Sequence, residues 1–126
     1  IHPKLGLERR VNIIMYMTPD WDESWGGGLQ LWTHDEEKNL PKELAKQVHN
    51  KFNRAVIFDT TQNSWHGLPD PILCPWDVSR NSLAIYYLSE PRKGIETHDR
   101  ALFAPYKDQN NDPKIVEFAK ERSKTK

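Results

Sequence analysis

Residues 10–17 read RVNIIMYM and run directly into Thr18-Pro19-Asp20. β-Branched and aromatic side chains crowd the eight positions, and the fixed φ of the proline that follows closes them with a turn, so the stretch predicts a β-strand. Alternation sets Arg10, Asn12, Ile14 and Tyr16 on one face and Val11, Ile13, Met15 and Met17 on the other. The second set is wholly apolar and is the expected core face.

Outward from this strand, Gly26-Gly27-Gly28 supplies backbone freedom for a bend, and residues 29–32 resume alternation with Leu29 and Leu31 on one side. In the polar stretch 33–51, Pro41 suits a first helical position and apolar residues recur at Leu44 and Val48, which predicts a helical turn over residues 41–48. Residues 55–58 read as a third strand, Trp65-His66 as a short fourth and residues 82–88 as a fifth. Pro69, Pro71 and Pro75 forbid regular pairing and mark a loop between the last two. Strands at short intervals with turn signals between them indicate an antiparallel sandwich or barrel. Beyond Glu90 the chain turns polar, and residues 113–120 predict a C-terminal helix with Ile115, Phe118 and Ala119 on one face and a fraying basic end over residues 120–126.

At 126 residues the chain can bury one hydrophobic core. Eighteen basic and eighteen acidic residues cancel, which removes any global electrostatic case for nucleic acid or an anionic membrane. Cys74 is the single cysteine, so no internal disulfide forms and a reducing compartment, the cytoplasm, is expected. The longest apolar run, residues 11–17, is too short to span a bilayer. The chain opens at Ile1-His2-Pro3 without Met.

Five histidines are available for chemistry. His34, His49 and His98 lie in polar segments and read as solvated surface residues. His66 differs: it follows an apolar strand and precedes Gly67, so it is either a metal ligand or a turn residue packed on Trp65. Arg80 enters the fifth strand and is either a surface residue or, if directed into a barrel, a five-donor fork that calls for a carboxylate. Ser82 shares its face and can add a hydroxyl donor, and Tyr16 can add a phenol or simply fill a strand edge. Trp21, Trp25, Trp32, Trp65 and Trp76 read as core and rim packing.

Taken together, RRVNIIMYMTPDW, GGGLQLW, NRAVIFDTTQNSWHGLP and SRNSLAIYYL, in that order and spacing, resemble the core of the Fe(II)/2-oxoglutarate-dependent dioxygenases, and most of all their prolyl-hydroxylase-like branch. The resemblance covers residues 9–88. It implies a mainly β fold, a double-stranded β-helix or jelly-roll that is incomplete at the N-terminus, with residues 1–90 as the C-terminal part of the oxygenase core and residues 91–126 as a polar extension with a C-terminal helix. By resemblance His66 is the distal histidine of an iron triad, Arg80 and Tyr16 hold the far carboxylate of 2-oxoglutarate, Leu29 lines the cosubstrate pocket, and Ser82 completes an Arg-x-Ser pattern. Fe(II) and 2-oxoglutarate are the implied cofactor and cosubstrate, with ascorbate left open, and two histidines and one carboxylate suit non-heme iron.

The family's other two ligands form a His-x-Asp pair, and His2-Pro3-Lys4 cannot supply it; the pair is expected just before Ile1. The implied reaction is oxidative decarboxylation of 2-oxoglutarate coupled to hydroxylation of a small-molecule or protein side-chain substrate. The rival reading is a non-catalytic β-sandwich binding module, or an oxygenase relic without a complete metal site; a cupin-like enzyme of small acids or sugars ranks last because one histidine alone is well placed. Neither nucleic acid nor membrane is an expected partner, and an oligomer stays open.

Overall fold

The protein is described by a computed structural model that covers residues 1–2, 4–61, 63–94 and 103–123, the side chains at 108 and 123 excepted. Six strands form: β1 (Glu8–Tyr16), β2 (Leu29–Asp35), β3 (Leu40–Val48), β4 (Ala55–Asp59), β5 (Trp65–Gly67) and β6 (Ser82–Ser89). One α-helix, α1 (Pro113–Ser123), follows them. The strands make two three-stranded sheets, in the orders β4-β1-β6 and β3-β2-β5. The fold is thus mainly β, two antiparallel sheets with a C-terminal helix, in the manner of an incomplete jelly-roll.

The chain divides into two compact units, Arg10–Tyr87 and the combination of Ile1–Arg9 with Leu88–Lys126. In the first, the core is Tyr16, Leu29, Val56 and Phe58, with Ile14, Leu31 and Val48 packed against it. These residues come from both sheets, so the sheets are layered over one another through this cluster. In the second unit, Glu8 is buried and is gripped by the guanidinium of Arg92, whose Nη2 donates to Glu8 Oε1 at 2.7 Å and whose Nε donates to the same oxygen at 3.1 Å. Helix α1 buries Ile115, Val116 and Ala119 in part; Phe118, expected on that face, is exposed and lies 5.4 Å from the Arg122 guanidinium.

Three expectations are corrected. The core face of β1 is the even one: Asn12 and Tyr16 are buried, whereas Val11, Ile13 and Met15 are half-exposed and Met17 is exposed. The reason is the pairing with β4, where Asn12 faces Phe58 and Ile14 faces Val56, so the even residues share the layer of the buried cluster while Ile13 faces the exposed Ile57. Secondly, residues 41–48 lie in a strand: β3 pairs with β2 from Leu29↔Val48 to Asp35↔Leu40, with irregularities on either side of Trp32. Leu44 and Val48 are four apart, an even spacing that serves a strand face as well as a helix face, and the ladder with β2 outweighs the helical preference of Lys, Glu and Ala. The turn joining the two strands is an Asp35 turn, its carboxylate accepting the Glu37 and Lys38 amides at 3.1 and 3.0 Å. Thirdly, Trp76 is not packed but 97% exposed. His98 and residues 124–126 of the expected fraying end lie outside the described residues.

Candidate functional site

Tyr16 is the last residue of β1 and its side chain is fully buried. The hydroxyl accepts the Leu29 amide at 3.1 Å and faces the Val48 carbonyl at 3.4 Å. The second contact is long for an O–H donor, so the proton is weakly held. Leu29, 3% exposed, thereby acts twice, as a core side chain and as the amide that fixes the phenol.

Arg80 reaches the same place from the segment before β6. Its Nε donates to the Gly27 carbonyl at 2.7 Å, and its guanidinium carbon lies 5.3 Å from the centre of the Tyr16 ring. Neither Nη1 nor Nη2 has a partner among the described residues. The Gly-Gly-Gly bend permits this approach. Gly27 has φ +73°, and a Cβ there would lie 3.0 Å from Arg80 Cδ; at Gly28 a Cβ would meet the Val48 carbonyl oxygen at 2.6 Å, closer than atoms pack.

A further residue secures the arrangement. The buried Thr18 hydroxyl donates to the Ser79 carbonyl and accepts the Asn81 amide, both at 2.8 Å, bracketing Arg80 on either side. Sequence reasoning passed over it as part of a turn; the signal was a hydroxyl next to the proline that ends β1.

His66 lies in the middle of β5, opposite Leu31 of β2. Its ring packs on Phe58 with 4.7 Å between centroids, and Nδ1 lies 3.3 Å from the Ser64 carbonyl. If that carbonyl accepts a hydrogen bond from Nδ1–H, Nε2 keeps its lone pair for a metal. Although the residue retains exposed surface, withdrawal of the ring from water against Phe58 lowers its affinity for a proton, and the Ser64 contact works weakly in the other direction. A neutral imidazole near pH 7 is the state that ligates.

The structure therefore brings Tyr16, Leu29 and Arg80 into contact and sets His66 on the Phe58 side of the same core. Ser82 is exposed, and its hydroxyl has no partner among the described residues. His34, expected to be solvated, has a side chain only 10% exposed: it accepts the Trp65 indole N–H at 2.9 Å and stacks on that ring. His49 is half-exposed beside Glu23, as a surface histidine should be. Two other polar side chains escaped the sequence reading. Asn12 and Asn50 are 3% and 4% exposed and carry buried amide atoms with no hydrogen-bond partner among the described residues.

A guanidinium with two uncommitted amino groups beside a buried phenol matches one end of a dicarboxylate in charge and shape. For 2-oxoglutarate the residues present fit. For iron they supply one ligand: no group of three His, Cys, Asp or Glu side chains able to hold a metal occurs among the described residues.

Residues 2–94 of the 126 match the 2OG-Fe(II) oxygenase superfamily, and the chain belongs to that superfamily. Its likeness is to the prolyl-hydroxylase-like members. It is 36% identical over 58 residues to prolyl 3-hydroxylase OGFOD1 of Mus musculus and 33% identical over 58 residues to that of Xenopus laevis. Each match takes in 46% of this chain but only 10% and 11% of the respective relative, so the chain matches about a tenth of the length of these proteins.

Proposed function

We propose that this chain carries the cosubstrate grip and one metal ligand of a hydroxylase that acts on prolyl residues of a protein. The reaction consumes 2-oxoglutarate, O₂ and a C–H bond and yields succinate, CO₂ and the corresponding C–OH, which balances without another reductant. The observation that carries the reading is the Tyr16–Arg80 contact, with Arg80 tied through Nε and its other two nitrogens uncommitted among the described residues. In this reading Arg80 pairs with the far carboxylate, the Tyr16 O–H turns from Val48 to that carboxylate, Leu29 walls the pocket, and Ser82 adds a hydroxyl on rotation. His66 contributes Nε2 to Fe(II), which supplies the oxygen chemistry when bound. The names of the curated relatives support a prolyl substrate.

That His66 has no two further candidate ligands grouped with it among the described residues favours one rival, a binding module that retains the 2-oxoglutarate grip without turnover. One experiment separates the two. The protein is titrated with 2-oxoglutarate and then assayed for succinate with Fe(II), ascorbate and proline-containing peptides. Binding with turnover supports the hydroxylase, binding without turnover supports the module, and failure to bind 2-oxoglutarate defeats both.

A further inference from the structure

The chain between His66 and Arg80 joins the two parts of the proposed site, leaving β5 at Gly67 and delivering Arg80 to the entry of β6. It carries its apolar side chains outward. Leu68, Ile72 and Leu73 are exposed, Leu73 by 70%, and Trp76 is 97% exposed. One such residue is ordinary on a protein surface, but several large apolar side chains in one short loop mark an interaction site.

The loop is anchored where it carries them. Pro69, Pro71 and Pro75 restrict its backbone. Gln30 Nε2 donates to Asp70 Oδ2 at 2.8 Å, and the Leu73 amide donates to the Trp25 carbonyl at 2.9 Å. The Val78 amide then closes a turn on the Pro75 carbonyl at 3.0 Å. Trp76 and Asp77 are the two central residues of that turn, and both are exposed. An indole held outward on an anchored turn has little conformational entropy left to lose when a partner covers it.

Charge indicates the partner. The chain as a whole is neutral, yet no Lys or Arg occurs between Arg10 and Lys38 or between Arg54 and Arg80. Those two stretches meet here: the Leu73–Trp25 bond, and the bond from the Thr18 hydroxyl to the Ser79 carbonyl at 2.8 Å, lay residues 18–25 beside the loop. The exposed Asp20, Asp22 and Glu23 thereby join Asp70 and Asp77, with Glu23 shared with His49 at 2.9 Å. Arg80, at the end of the loop, is tethered to the Gly27 carbonyl. Such a surface attracts cations and repels acidic chains.

We propose that the Trp76–Asp77 turn docks an Arg or Lys side chain of the polypeptide segment that flanks the target proline. The indole takes the cation on its face, Asp77 pairs with it, and Ile72 and Leu73 receive the apolar stem. This rests on the hydroxylase reading given above and narrows its substrate class to basic, proline-containing segments.

The test is fluorescence anisotropy of the protein with a labelled peptide whose central proline carries two arginines on either side, and with its counterpart in which neutral citrulline replaces each arginine. Titration with 2-oxoglutarate, thermal unfolding and sedimentation are read in parallel. The arginine peptide is expected to bind at least about tenfold more tightly than the citrulline peptide, and the difference should shrink at high salt. Trp76→Ala is expected to weaken the arginine peptide about tenfold and Asp77→Asn about threefold, with 2-oxoglutarate affinity and melting temperature unchanged. Trp76→Phe should retain most of the binding, and Asp77→Asn carries the test should Trp76→Ala misfold. Equal affinity for the two peptides, or an arginine peptide bound as well by both the Trp76→Ala and Asp77→Asn variants, overturns the inference. A Trp76→Ala variant that loses an oligomer and keeps its peptide affinity shows that a second copy of the chain covers the loop, and also overturns it. Binding of 2-oxoglutarate without binding of the arginine peptide defeats this inference alone. If the unsubstituted protein does not bind 2-oxoglutarate, the hydroxylase reading fails, and the assignment of this loop to a substrate fails with it.

Discussion

Arg80 is asked to do two jobs with one fork. Nε is committed to the Gly27 carbonyl, and that tether aims the remaining nitrogens. Lysine cannot both tether and grip, so Arg80→Lys is expected to cost about 2 kcal/mol in 2-oxoglutarate binding despite the retained charge, as calorimetry would show. At Tyr16 the stake is the fold as well. Tyr16→Phe strands the buried Leu29 amide, and urea unfolding should show a loss of about 1–3 kcal/mol. For His66 the stake is pH. Packing against Phe58 lowers its native proton affinity, so the unfolded chain takes up the proton first. The stability this residue carries is complete above about pH 6.5 and is lost as the pH falls through its lowered native value. Melting temperatures of the metal-free protein should decline on acidification below that point, and His66→Gln should flatten that part of the profile. The sequence showed these residue types and their order. It did not show that a strand-end phenol and an arginine 64 positions later would touch, because that contact depends on the Thr18 hydroxyl holding both flanks of Arg80.

Those flanks belong to the elements. Thr18 joins the end of β1 to the segment entering β6, so Thr18→Val, which keeps the shape and removes the hydroxyl, should lower 2-oxoglutarate affinity without touching any ligand-facing atom. A smaller effect on affinity than on melting temperature would assign Thr18 to the fold alone. Gly28 sets the separation of β2 from the chain beyond β3. A methyl there meets the Val48 carbonyl oxygen, and Gly28→Ala should destabilise by about 1–3 kcal/mol in urea unfolding. Where the strands lie was readable from alternation and proline punctuation for β1, β2, β4, β5 and β6. β3 was not, since its Lys, Glu and Ala favour a helix in isolation and its one apolar interval fits both periods. The strand forms because β2 offers a ladder, and as the outer strand of its sheet β3 carries Lys42, Glu43 and Lys46, charges that suit an unpaired edge.

Over the whole molecule, four hydrophobic side chains make up the buried core among the described residues, so each one counts. Phe58→Ala should cost about 3–5 kcal/mol, a large share of the roughly 5–15 kcal/mol by which domains are stable, and should free the His66 ring at the same time. That the chain makes two antiparallel sheets was legible from strand spacing. Which face of β1 turns inward was not, because the odd face is the more apolar and only the register with β4 settles the matter. The strand orders also have a meaning in time. β1 lies between β4 and β6 in its sheet but precedes both in sequence, and these neighbours begin only at Ala55 and Ser82. During synthesis RVNIIMYM therefore waits for both of its sheet neighbours, first β4 and then β6. The Tyr16–Arg80 contact cannot exist before the segment entering β6 is made, so the proposed 2-oxoglutarate grip forms only after β1 has passed through its most aggregation-prone stage.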